Sequence, residues 1–139
     1  MSNIKNKLLM FDCYIKAGIT PILLEDVNIS NLKYAVILDA KDKLEEKVFL
    51  KNCDRRFLPK WYKKVLDNSN KNREKKNLLI IKNLNKISHE KQMKYLDMFK
   101  YKKIGYFSIP QNTIIIVVVS DLKEFEFKEE IYNLLAHVY

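Results

Sequence analysis

The stretch Asn77 to Leu84, NLLIIKNL, is where residue types and order come closest to chemistry. Leu78 to Ile81 make a short buried-strand pattern, and Asn83, Leu84, Asn85 and Lys86 then turn the chain toward a polar helix start at Ser88. A strand running into a helix in this way is the usual setting of a phosphate-and-metal site. Such a site needs acidic residues directly after the strand, to hold the metal and to activate water. This chain has Lys82 and Asn83 there.

No other set of residues takes over that chemistry. His89 and His137 have no Ser, Cys or Asp at a triad spacing and read as surface or strand-end histidines. Cys13 and Cys53 lie far apart with no CxxC or Cys/His cluster, so neither a metal site nor a disulfide framework is indicated. They are expected to be packing thiols in a reducing cytoplasm. Two glycines, Gly18 and Gly105, leave little backbone for a glycine-rich phosphate cradle. No cofactor and no metal are expected.

Charge offers a different kind of partner. Lys and Arg number 26 against 17 Asp and Glu, a formal net charge of +9, which favours contact with anionic surfaces without naming one. Lys60, Lys63, Lys64, Lys71, Arg73, Lys75 and Lys76 surround Trp61 and Tyr62. They read either as a solvated helix face and loop or as a nucleic-acid patch, with phosphates on the cations and unpaired bases on the aromatics. Lys100, Lys102 and Lys103 lead into Gly105-Tyr106-Phe107. Exposed aromatics there would mark a partner surface, whereas Phe107 reads equally well as core.

The elements that must position these residues alternate. With 139 residues and 47% hydrophobic side chains, one domain spanning 1–139 with a real core is expected. Ile4 to Ala17 reads as an amphipathic helix closed by Gly18, and Pro21 to Leu24 as a buried strand. Asn31 to Ala40 is read as a helix with Leu32, Ala35, Val36 and Ile37 inward, and Lys47 to Lys51 as an edge strand. Pro59 opens a helix carrying Trp61, Val65 and Leu66, which runs out in the polar loop Asp67 to Lys76. A helix from Ser88 turns Met93, Leu96, Met98 and Phe99 inward, and Ser88 with Gln92 approximates a capping box one place late. Lys102 to Ile109 predicts a small hairpin about Gly105. Thr113 to Val119, TIIIVVV, is β-branched without polar alternation, as in a strand covered on both faces. A helix from Phe127 to Leu135 and a strand from Ala136 to Tyr139 complete a three-layer α/β pattern. No apolar run reaches membrane length, so a soluble protein with no membrane contact is expected.

Several of these segments, in this order, resemble AAA+ ATPases of the MoxR and dynein-related branch. They are Leu58-Pro59-Lys60-Trp61, LLIIKNLNKIS, the helix ending YKKIG, Ile109-Pro110-Gln111-Asn112 and TIIIVVVS. The likeness is most specific from Leu58 to Ser120. It implies a P-loop-NTPase-like domain whose five parallel strands, numbered along the chain, lie in the order 5-1-4-3-2 with helices on both faces. As segments these are Ala136 to Tyr139, Pro21 to Leu24, Thr113 to Val119, Leu78 to Ile81 and Lys47 to Lys51.

Carried over position by position, the resemblance implies lost chemistry. Asp26 falls at the first glycine of the Walker A loop, and Asn31, Leu32 and Lys33 fall at its Gly-Lys-Ser/Thr. The Walker B aspartate and glutamate correspond to Lys82 and Asn83, the sensor asparagine to Ser120, and the arginine finger to Leu134. The chain stops near the fifth strand, so no C-terminal helical lid is expected. The implied function is a catalytically inactive AAA+-like domain that binds or regulates another protein, an active relative included. The alternatives are a small basic nucleic-acid-binding protein using residues 60–76, and nucleotide binding without hydrolysis. A buried Lys82 would need a carboxylate beside it, such as Asp121.

Overall fold

A computed structural model describes residues 2–27, 35–42 and 58–138. Five strands form a parallel sheet: β1 (Ile22–Glu25), β2 (Ala35–Asp39), β3 (Asn77–Lys82), β6 (Thr113–Val119) and β7 (Ala136–His137). From one edge to the other the order is β2-β3-β6-β1-β7. The short strands β4 (Lys103–Ile104) and β5 (Phe107–Ser108) form a separate antiparallel hairpin.

The helices lie on both sides of the sheet. Strands β1, β3 and β6 send alternate residues to opposite faces. Leu23, Leu79, Ile81, Ile115 and Val117 meet the side covered by α2 (Lys60–Lys71), α3 (His89–Gln92), α4 (Leu96–Tyr101) and α5 (Glu129–Tyr132). Ile22, Leu24, Leu78, Ile80, Ile114 and Ile116 meet the other side, where Phe11 of α1 (Ser2–Lys16) is buried. This double burial explains the unbroken apolar run of β6, the central strand, whose residues Ile114 to Val117 are shut off from solvent.

One expectation changes at the β2 edge. Ala35–Asp39 was expected inside a helix and is instead the strand beside β3, registered Ala35 to Leu78 through Asp39 to Lys82. A four-residue apolar run carries no decisive period, and its β-branched Val36 and Ile37 fit a sheet. The segment 47–51, expected at this edge, lies outside the described residues, as do Asn31, Leu32 and Lys33.

The helices depart from expectation in length. Met93–Tyr95 is a 3-10 turn that separates α3 from α4 and sets Tyr95 in the core beside Phe99, ring centroids 6.1 Å apart. The helix expected over 127–135 shortens to α5, preceded by a 3-10 turn at Glu124–Glu126. On α1, Phe11 is buried and Tyr14 and Ile15 are half-buried, whereas Leu8, Leu9 and Cys13 are exposed, so Cys13 is no packing thiol. Gly18, at φ +73°, closes α1 as expected. Its N–H donates to Ile15 O and that of Ile19 to Tyr14 O, both at 3.0 Å, the paired bonds of a Schellman cap.

Candidate functional site at the carboxyl ends of the strands

Parallel strands bring their carboxyl ends to one side of the sheet, where α/β folds place their ligands. Here β1 ends at Glu25 and Asp26, β2 at Asp39, β3 at Lys82 and Asn83, and β6 at Val119 and Ser120. A cleft of 410 Å³ opens between them, lined by Asp26, Val27, Lys82, Asn83, Asn85, Lys86, Val118, Val119 and Ser120. Four positions singled out from the sequence, Asp26, Lys82, Asn83 and Ser120, therefore share one site. Leu134 does not join them: it packs partly buried against the core, its N–H donating to Ile131 O.

Two cleft residues have left-handed backbone. Asp26 has φ 53°, and its N–H donates to Val119 O at 2.8 Å, which ties the end of β1 to that of β6. Asn83 has φ 64°, a conformation that asparagine and aspartate tolerate better than other residues with side chains. From it the chain enters the 3-10 turn Leu84–Lys86, with Leu84 and Asn85 buried. The Asn83 amide Nδ2 donates to Asp39 Oδ1 at 2.9 Å, and the Lys41 backbone N–H donates to the same oxygen at 3.0 Å. These two bonds, with Lys82 and Lys41 nearby, hold the Asp39 carboxyl below the ordinary carboxylate range.

Lys82 itself is exposed, so the condition under which it would need a carboxylate such as Asp121 does not arise. Its neighbour across the ladder is Asp39, and solvent shares in holding the charge. No side chain had to be desolvated to accommodate a lysine at this strand end.

Asn85 and Lys86, which line the cleft, are held by a polar brace. Glu126 Oε2 accepts from Asn85 Nδ2 at 3.1 Å and from Lys86 Nζ at 3.3 Å. Gln92, fully buried, donates from Nε2 to Glu126 O at 2.8 Å and to Ile87 O at 3.2 Å, while its Oε1 accepts from Lys128 N at 2.7 Å. Ser88 alone supplies the cap of α3, its Oγ accepting from Lys91 N. Beside the brace Phe125 is 76% exposed. Sequence reading missed Asp39, because it closed a segment taken for a helix, and Glu126, whose role depends on contacts some 40 residues away.

The expected basic patch is split. Lys60 and Lys64 line a groove of 540 Å³ with Asp39, Asp42 and Trp61 that runs along β2, from Ala35 to Asp39. Arg73, Lys75 and Lys76 follow the far end of α2 and lead into the start of β3. Twelve helical residues put these groups roughly 18 Å apart. Trp61 is partly buried against the core, and Tyr62 is buried.

Among the described residues no group of His, Cys, Asp and Glu is arranged to hold a metal ion, and no helix is long and apolar enough to cross a membrane. No family model matches the chain, and comparison with curated proteins finds no match.

Proposed function

We propose that the chain is a catalytically silent AAA+-like domain that works as a protein-binding or regulatory module. One observation carries the reading: the strand end where such a fold needs two acidic residues holds an exposed lysine and a left-handed asparagine bonded to Asp39. A cation at Lys82 repels the magnesium that a Walker B aspartate would hold. A glutamate at position 83 would lose the Asp39 bond and face a like charge, in a backbone region it adopts poorly. The exposed ring of Phe125, next in sequence to the Glu126 that holds Asn85 and Lys86, favours a protein partner at this end of the sheet.

Calorimetric titration of the full chain with ATP and magnesium tests the reading. No binding is expected up to millimolar nucleotide. Micromolar binding that is lost in Lys33→Ala would refute it in favour of nucleotide binding without hydrolysis.

A further inference from the structure

The opposite end of the sheet carries a second surface, built from two segments distant in sequence. One is the tail of α2 with its loop, residues 71–76; the other runs from α4 through the hairpin, residues 97–108. The first holds four cations, Lys71, Arg73, Lys75 and Lys76, against Glu74; the second holds Lys100, Lys102 and Lys103 against Asp97.

Hydrogen bonds through the rest of α2 and through Gln111 and Asn112, which follow the hairpin, tie both segments to one scaffold. Asn112 Nδ2 donates to Asn72 O at 3.3 Å and to Lys75 O at 3.4 Å, and Ser69 Oγ donates to Asn112 Oδ1 at 2.7 Å. Tyr62 OH donates to Ser108 O at 2.6 Å, and its ring packs on Phe107 with centroids 5.9 Å apart. Lys102 Nζ donates to Gln111 O at 2.9 Å. Burial, and then the neighbouring Lys76 ammonium, lower the Lys102 pKa, so like charges are held close together on this face.

The hairpin adds aromatic surface. Gly105 (φ 57°) occupies the first central position of a two-residue turn, and Tyr106 the second with φ not positive, as in a type II′ turn. That turn puts Tyr106 at the tip, 63% exposed, while Phe107 turns back onto Tyr62. Tyr101, beside Lys102, is 64% exposed. The tip lies beyond both ladder pairs, three residues from Lys102, or about 10 Å at the rise of a strand. Cations and open rings therefore alternate over the length of a few nucleotides.

We propose that this face binds single-stranded nucleic acid, with phosphates on the lysines and Arg73 and with bases stacked on Tyr101 and Tyr106. A duplex satisfies the cations but keeps its bases stacked on one another, so a single strand is the ligand that uses both features. The surface lies at the other end of the strands from the cleft and does not depend on the reading of that site.

The test is fluorescence anisotropy of the full chain with a labelled mixed-sequence single-stranded DNA and its RNA counterpart, across a salt series, with duplex DNA and heparin as competitors. Tyr106→Ala should weaken single-strand binding by roughly fivefold to a hundredfold, the range of one lost stacking contact. It should leave heparin binding unchanged. Lys103→Gln should lower the slope of log affinity against log salt by about 0.7, one phosphate on a single strand. Lys60→Gln with Lys63→Gln, at the other end of α2, should change little. All four side chains are exposed, so each variant should fold, which circular dichroism checks before binding is measured. The proposal is overturned if nothing binds at low salt, if Tyr106→Ala has no effect while duplex and heparin compete as well as the single strand, or if anionic phospholipid vesicles are bound in preference.

Discussion

Replacing Gln92 by leucine removes three hydrogen bonds at nearly constant volume. The amide joins α3 to the segment whose Glu126 holds Asn85 and Lys86: it donates to Glu126 O and Ile87 O and accepts from Lys128 N, with no solvent access of its own. Each bond contributes about 1 kcal/mol net, and a buried partner left unsatisfied costs about 1–3 kcal/mol. Water can reach part of the backbone at 126–128, so the expected loss is about 3–5 kcal/mol, a large share of the ~5–15 kcal/mol that holds a domain folded. Urea denaturation followed by circular dichroism should show the midpoint falling at unchanged slope. Gln92→Glu separates hydrogen bonding from packing. It keeps the acceptor for Lys128 N but sets a carboxylate against two carbonyl oxygens, so it should be at least as unstable as leucine at neutral pH. It should recover partly in acid, where a neutral carboxyl can donate again. A leucine variant within about 0.5 kcal/mol of the wild type would refute the brace as a stabilising device.

Two further outcomes follow from the core and from the last strand. Ile116→Ala empties a site sealed on both sides of the central strand and should cost about 2–5 kcal/mol, read from the same urea titration. His137 has its pKa lowered from the ordinary 6.5, first by burial and also by Lys7, against the opposing pull of Glu25 and Glu124. The unfolded chain then binds the proton more tightly, so stability should fall as pH drops below about 6.5 and level off below the folded pKa. His137→Gln should flatten that part of the profile, and an unchanged pH dependence would count against the assignment.

The sequence announced elements whose apolar pattern is long or closed by a distinctive residue. TIIIVVV could only be a doubly covered strand, Gly18 fixed the end of α1, and Gly105 placed the hairpin. Ala35–Asp39 was illegible because AVIL fits a helix face and a strand equally well, and only pairing with β3 decides between them. The site was legible by position rather than by contact. Asp26, Lys82, Asn83 and Ser120 do gather, because parallel strands must end together. The bond from Asn83 to Asp39 and the brace of Gln92 and Glu126 span 34 to 44 residues of chain, and local pattern carries no record of them.

Lys82 and Asp39 stand opposite each other at adjacent strand ends, so the charge of one constrains what the other position can hold. Replacing Lys82 by aspartate would set two carboxylates at neighbouring ladder positions, with Lys41 as the remaining nearby cation, so that substitution carries an electrostatic penalty. Only a simultaneous gain of a bound cation would relieve it. Charge at these two strand ends is therefore set by the pair of residues together rather than by either one alone.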